Sequence, residues 1–181
     1  MKCFSFFFLL MISSFIGYSQ ITIDSFNSYT LLDTNSLFKK DNLYAAINET
    51  IATTKKIDTV YITDSKIVVD DKLNGLLIYT PTFLISTLNG KIIYEYKCNF
   101  TFRIKDSKYK LECSEFVLIS ADGNKISCNL LFKKPPLRSD RYDNIKPELW
   151  DFLKFEIHNK IQSIMSFMVQ TVRTNYTKND F

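Results

Sequence analysis

The feature that most constrains this chain is an alternation of apolar and polar residues that runs from Ile92 to Lys105. Every second side chain between Ile92 and Ile104 is apolar, and most of the side chains between them are charged or polar. A period of two is typical of an antiparallel strand with one buried and one solvated face. The stretch is longer than the usual strand of about five or six residues. We therefore expect a strand that bends or crosses a whole sheet.

Three dipeptides indicate where neighbouring strands turn: Asn74-Gly75, Asn89-Gly90 and Asp122-Gly123. Such pairs favour type I′ hairpin turns, because both central residues need a positive φ. The segment Lys105–Lys108 predicts one more hairpin, with apolar pairs across it: Ile104 with Tyr109, Phe102 with Leu111, and Phe100 with Cys113. A two-residue turn at Asp122-Gly123 would place Ile119 opposite Ile126 and Val117 opposite Cys128. Together the turns predict a meander of about five strands over residues 66–133.

Helical periodicity appears on both sides of this meander. Leu43, Ile47 and Ile51 recur every four residues and predict a helix over residues 42–56. A longer helix is expected to begin at Pro147, a residue that suits the first helical turn, and to run to about residue 173, followed by a polar, frayed tail from Asn175. Its apolar stripe comprises Trp150, Leu153, Ile157, Ile161, Ile164, Met168 and Val172.

These elements predict an α+β domain. It would consist of an antiparallel meander sheet of about five to six strands, one N-terminal helix and a long C-terminal helix packed on one face of the sheet. Residues 20–181 would form this single domain, with a basic loop at 133–146 and the long helix at 147–173. The 46% hydrophobic and 15% aromatic content excludes the disordered class, which has few aromatic residues.

The first nineteen residues have the pattern of a secretory signal peptide. One charge, Lys2, precedes an apolar run from Phe6 to Ile16, and small or polar residues follow up to Gln20. The run is shorter than the ~20 residues of a spanning helix, so we expect cleavage after Ser19, with an uncleaved anchor as the alternative. The predicted product is exported, either periplasmic or secreted, and has no transmembrane anchor after cleavage.

Residues that could carry catalysis or bind a metal are few. His158 is the only histidine and falls inside the predicted long helix, next to an apolar stripe residue. After the signal peptide there are three cysteines, Cys98, Cys113 and Cys128, which suit a buried apolar role; one disulfide among them is the alternative. A zinc site needs paired ligands, and a phosphate loop needs clustered glycines. We therefore expect no catalytic residue, no metal site and no cofactor.

Two features leave room for binding. Glu115 interrupts an apolar strand face, and a β-bulge that turns Phe116 and Leu118 inward is favoured over a buried carboxylate. The predicted loop after the meander is basic and could contact an anionic surface or a partner, although a solvated loop is the common explanation. Its candidate binding residues are Lys133, Lys134, Arg138, Arg141, Tyr142 and Lys146.

The layout of the chain resembles a family of exported bacterial domains of unknown function with a TBP-like fold. The resemblance covers roughly residues 31–120. It rests on Asp41-Asn42-Leu43-Tyr44 at the helix start, on the strand and turn from Lys66 to Gly75, and on the strands Tyr94 to Lys105 and Tyr109 to Ile119. It implies a TBP-like or helix-grip-like sheet. It implies no activity, because a fold name does not transfer DNA binding.

The sequence therefore predicts an exported, non-enzymatic binding or interaction domain. The alternative is a carrier of a small hydrophobic, lipid-like ligand held between the sheet and the long helix. The expected partner is an envelope protein or an apolar small molecule. The net charge of +4 is too small to indicate a nucleic-acid partner, since such proteins usually carry a strongly basic face. An enzyme of another type is the third possibility.

Overall fold

Two helices pack on one face of a single antiparallel sheet in the computed structural model, which describes residues 21–23, 28–35, 37–54, 62–86, 93–120, 123, 125–127 and 147–179. The α+β class predicted from the sequence is confirmed. The sheet has seven described strands, two of which are only three residues long. In chain order the elements are β1 Ile21–Ile23, β2 Tyr29–Thr34, α1 Lys40–Thr54, β3 Ile62–Asp71, β4 Leu76–Ser86, β5 Ile93–Lys105, β6 Lys108–Ile119, β7 Lys125–Ser127 and α2 Pro147–Asn179.

The spatial order of the strands is β1-β2-β6-β5-β4-β3, and β7 also pairs with β6. Strands β3 to β7 pair antiparallel in chain order and form the predicted meander of about five strands. The register of the β5–β6 hairpin is confirmed, with Ile104 opposite Tyr109, Phe102 opposite Leu111 and Phe100 opposite Cys113. The long alternating segment is therefore one continuous strand whose apolar set faces the helices.

The register predicted for the β6–β7 connection is wrong by one residue. Leu118 lies opposite Ile126, and Val117 lies opposite Ser127, where the sequence had suggested Cys128. Five residues lie between Ile119 and its partner Lys125, whereas the predicted turn would leave six between Ile119 and Ile126. Gly123 has φ 80°, and its N–H donates to the Ser120 carbonyl at 2.8 Å, which closes this five-residue connection.

The interior between the sheet and the helices is filled by large side chains. All seven residues of the predicted α2 stripe are buried with no exposed surface. Aromatic rings from β4 and β5 face them, and the rings of Phe83 and Tyr96 stack with centroids 4.8 Å apart. Burying a side chain of this size contributes about 1.5–3 kcal/mol, so this layer is the main source of stability.

Helix α2 continues to Asn179, beyond the predicted end at residue 173. The frayed tail expected from Asn175 is wrong, because Asn175 and Tyr176 are both buried. The Tyr176 hydroxyl donates to the Leu37 carbonyl at 2.7 Å and accepts from the Lys39 amide at 3.0 Å. These contacts attach the last turns of the helix to the segment before α1.

Helix α1 begins at Lys40 and ends at Thr54, two residues earlier at each end than predicted. Two hairpin turns hold its first turn. The Asp106 carboxylate in the β5–β6 turn accepts from the Lys40 amide at 2.9 Å, so this side chain caps the helix from a distant part of the chain. In the β3–β4 turn, the Leu73 carbonyl accepts from Lys40 Nζ at 2.7 Å, and Tyr44 donates to Asp70 at the end of β3.

Strand β2 is attached to α2 by an ion pair with one fully buried partner. Asp33 is buried on the helix side of the sheet, and Arg173 binds both of its carboxylate oxygens, at 2.7 and 3.0 Å. The predicted signal peptide, residues 1–19, lies outside the described residues, as does the loop 133–146. Within the described ranges, neither helix combines the length and apolar character needed to cross a membrane.

Candidate functional site

The histidine and the cysteines that were considered for catalysis or metal binding make packing and hydrogen-bond contacts in the structure. The Nδ1 atom of His158 lies 2.9 Å from the Tyr29 hydroxyl, between α2 and β2. Cys98 and Cys113 are buried free thiols, and burial raises the pKa of Cys113 well above its usual value, which keeps this thiol protonated and unreactive. Cys128 lies outside the described residues. Among the residues that are described, no three His, Cys, Asp or Glu side chains are grouped to hold a metal ion.

The candidate binding loop lies wholly outside the described residues. The contact role of Lys133, Lys134, Arg138, Arg141, Tyr142 and Lys146 therefore stays a prediction.

A groove of about 640 Å³ lies on the face of the sheet opposite the helices, which we call the open face. Its lining comes from the outward-facing side chains of β3 to β7. Because the register of these strands is known, the lining can be arranged as three rows that run across the sheet. We call them the upper, middle and lower rows.

The upper row runs from Lys66 through Thr80 and Asn99 to Glu115. Lys66 lies opposite Thr80. The Thr80 hydroxyl donates to the Asn99 side-chain carbonyl at 2.7 Å, and the Asn99 amide donates to the Glu115 carboxylate at 2.6 Å. The row therefore has a base at one end and an acid at the other, with a hydrogen-bonded floor leading to the acid.

The other two rows repeat this combination of one acid and one base. In the middle row, Asp64 lies opposite Thr82, and Thr82 lies opposite Lys97. In the lower row, Glu95 lies opposite Ile119, and Ile119 lies opposite Lys125. Since neighbouring strands are about 4.8 Å apart, the acid and the base are separated by roughly 10 Å in these rows and by roughly 14 Å in the upper row.

The six charged side chains of the groove are not neutralised by one another. No salt bridge within 4.0 Å joins any two of them in the described part of the chain. Three are acidic and three are basic, so the groove has no net charge but carries alternating positive and negative positions. Thr80 and Thr82, on the floor, are only 4% and 7% exposed.

Glu115 reaches this face because β6 contains the bulge predicted from the sequence. Lys97 pairs with Val117 while Asn99 pairs with Ser114, which leaves two β6 residues opposite Cys98. Phe116 and Leu118 are buried, and Glu115 is exposed, as the bulge requires. Glu115 has φ 57°, a left-handed conformation that is uncommon for a residue other than glycine.

Glu115 is recognisable from the sequence, but the groove is not. The sequence signal for the groove is the polar half of the β5 alternation, in which Glu95, Lys97 and Asn99 all face outward. That signal identifies a solvated face but cannot show which residues of β3, β6 and β7 lie beside it. The groove depends on the register of five strands and becomes visible only in three dimensions.

No protein-family model matches this chain, and no curated protein matches it. Its fold is similar to that of a DUF4468 family protein from Bacteroides ovatus, with a TM-score of 0.57, 12% identity, and coverage of 82% of this chain and 85% of that one. A TBP-like protein from Parabacteroides distasonis also matches, with a TM-score of 0.49, 18% identity, and coverage of 78% and 91%. The predicted resemblance to a bacterial family of unknown function is confirmed at the level of the fold by the DUF4468 family structure.

Proposed function

We propose that this protein is an exported, non-enzymatic binding domain that holds a protein partner in the groove on the open face of its sheet. The observation that carries the proposal is the set of three rows, each with an acid and a base that form no ion pair with another described residue of the groove. Charged groups that a protein does not pair internally are available to a partner with the complementary arrangement.

The mixed signs favour a protein as the partner. Nucleic acids and anionic lipid surfaces present one sign of charge, and their binding sites are correspondingly basic. The groove carries equal numbers of acidic and basic side chains, so a single-sign surface would be attracted by half of them and repelled by the others. A protein surface can present both signs at matching positions.

The proposal also includes export, which rests on the sequence, and a non-enzymatic role. Export is supported by the pattern of residues 1–19, with Lys2 before the apolar run. A non-enzymatic role is supported by the surroundings of the two described cysteines, which are buried among apolar side chains, and of His158, which contacts Tyr29 at the boundary of the core. The basic loop at 133–146 is a second candidate contact for the same partner.

The alternative of a hydrophobic-ligand carrier needs space between the sheet and α2. The described side chains of that layer pack against one another, as the Phe83–Tyr96 stack illustrates. The groove, in contrast, is lined by charged and hydroxyl side chains that do not suit a lipid tail. The binding-domain proposal is therefore preferred.

The test is site-specific photocrosslinking in cells of the organism that produces this protein. A photoreactive amino acid is placed in the groove, in place of Val117, and separately on the exposed surface of α2, in place of Phe155, which is 62% exposed. We expect a discrete covalent adduct at position 117 and none at position 155. An absent adduct at 117, or the same adduct at both positions, would contradict the proposal.

The adduct is then identified by mass spectrometry, and the purified partner is titrated by calorimetry. The double variant E95K/K97E exchanges an acid and a base in the groove at constant net charge. The control D151K/K154E makes the same exchange on α2, where the exposed Asp151 and the half-buried Lys154 form an ion pair at 2.8 Å. We expect E95K/K97E to weaken binding at least about tenfold, because it removes close charge pairs across the interface and replaces them with like charges. The control should bind like wild type.

A further inference from the structure

We infer that Glu115 is the position at which the groove recognises a basic side chain of its partner. The inference rests on the proposed function and adds the chemistry of one contact. Three observations carry it: the backbone conformation of Glu115, the hydrogen bonds that fix its carboxylate, and the arrangement of charges around it.

The backbone at Glu115 adopts a conformation that favours glycine. With φ 57° it lies in the left-handed region, which glycine adopts freely and which other L-residues adopt at a cost. Glycine would also satisfy the bulge, because glycine is the usual residue in a left-handed bulge position. Strained non-glycine residues cluster at functional sites, where the side chain is needed.

The side chain of Glu115 is oriented but not neutralised. The Asn99 amide donates to Oε2 of Glu115 at 2.6 Å, and the Thr80 hydroxyl fixes Asn99 from the other side at 2.7 Å. No salt bridge in the described part of the chain includes Glu115. A carboxylate that accepts from one neutral amide, and that has no cation within 4.0 Å among the described residues, suits a guanidinium or ammonium group.

The nearest base of the groove defines a second feature of the partner. Lys97 lies in the adjacent row, on the neighbouring strand, at roughly 8 Å from Glu115 by the spacing of strands and residues. A partner that places a basic side chain on Glu115 would place an acidic side chain on Lys97. The expected recognition element is therefore a basic and an acidic residue about 8 Å apart.

The first experiment measures stability and needs no partner. The variants E115Q and E115A keep the left-handed residue and remove the charge, whereas E115G also removes the strain. We expect E115G to raise Tm by about 2–4 °C over wild type, and E115Q to stay within about 1 °C of it. If Glu115 serves only to hold the bulge together, E115G melts below wild type, which would overturn the inference.

The second experiment measures recognition with a defined probe. N-acetylarginine amide is titrated into ¹⁵N-labelled protein, and the side-chain amide of Asn99 reports binding by NMR. Its neutral isostere, N-acetylcitrulline amide, is the matched control. We expect saturable shifts of the Asn99 amide with the arginine probe only, and their loss in E115Q. Equal shifts with both probes, or unchanged shifts in E115Q, would contradict the inference.

The two proposals fail in different ways. If the partner captured at position 117 binds E115Q as tightly as wild type, the role of Glu115 is wrong and the binding-domain proposal stands. If no partner is captured but the arginine probe binds at Asn99 and Glu115, the recognition of a basic group holds and the protein-partner proposal fails.

Discussion

Gly75 is the residue at which the β3–β4 turn meets both β5 and α1. Its φ is 65°, and its carbonyl accepts from the Ile104 amide at 2.7 Å. A Cβ built on Gly75 would lie 2.2 Å from the Ile104 carbonyl oxygen and 3.0 Å from Lys40 Cε. The first of these contacts is with backbone, which cannot move without breaking the β4–β5 pairing.

We therefore expect G75A to lower the free energy of unfolding by about 3 kcal/mol, from backbone strain plus the steric contact. Gly123 offers a matched control, because it has φ 80° but no atom of the described residues within 4 Å of its Cβ position. G123A should cost only about 1 kcal/mol, the strain alone. Urea denaturation of the two variants measures the difference, and equal losses would show that the contact at Gly75 is relieved at little cost.

At this scale the sequence was informative wherever a residue's conformation depended on near neighbours. The interruption at Glu115 predicted the bulge correctly, because the apolar pattern on either side of it required a change of facing. The register after Asp122-Gly123 was wrong because an Asp-Gly pair fits both a two-residue turn and a five-residue connection. The choice between them depends on the Ser120 carbonyl, which the dipeptide does not reveal.

The C-terminal turns of α2 show how an element can be longer than its own sequence suggests. Tyr176 packs on Phe38 with ring centroids 4.9 Å apart and hydrogen-bonds the backbone of residues 37 and 39. We expect Y176A to lower the free energy of unfolding by about 3–4 kcal/mol, from lost burial and two lost hydrogen bonds. Y176F should lose only about 1–2 kcal/mol, because it keeps the ring.

The control for this series is T177A, since Thr177 is exposed at the next position of the same helix. It should change stability by no more than about 0.5 kcal/mol. Denaturation followed by circular dichroism measures all three variants. A Y176A loss as small as that of T177A would mean that the end of the helix is independent of the core.

Strand β2 was missed for a related reason. Its inward positions are Tyr29, Leu31 and Asp33, and a charged residue at the third position breaks the apolar alternation. The residue that compensates this charge is Arg173, 140 positions further along the chain. Only the folded structure shows why an aspartate is tolerated there, because breaking such a buried pair would cost several kcal/mol.

On the scale of the whole molecule, the two faces of the sheet have different roles and different predictability. The helix-facing side could be predicted, because each strand and each helix shows its buried side in its own pattern of apolar residues, as α2 does from Trp150 to Val172. The open face could not, because the three rows combine residues from five strands. Its charged residues lie far apart in the sequence. Lys66 and Glu115, for example, are 49 residues apart, and only the order of the strands places them in the same row.

The packed face also determines how the protein responds to high pH. Burial is the first cause that raises the pKa of Tyr29, to about 12. It also raises the pKa of Tyr44, Tyr79, Tyr96 and Tyr109 above the ordinary value of 10.0, with a hydrogen bond to Asp70 contributing at Tyr44. Above pH 10 the unfolded chain loses these protons and the folded protein retains them, so stability is complete below that pH and falls as the pH rises.

Each such tyrosine reduces the free energy of unfolding by about 1.4 kcal/mol per pH unit above 10 for as long as it stays protonated in the folded protein, so several of them together cost several kcal/mol. Because domains are stable by about 5–15 kcal/mol, we expect cooperative unfolding between about pH 11 and 12. Circular dichroism and tyrosinate absorbance should change together there, because unfolding exposes the buried tyrosines to hydroxide. If all ten tyrosines titrate near pH 10 while the circular dichroism stays native, the aromatic layer is accessible to hydroxide and the packing described between sheet and helices is wrong.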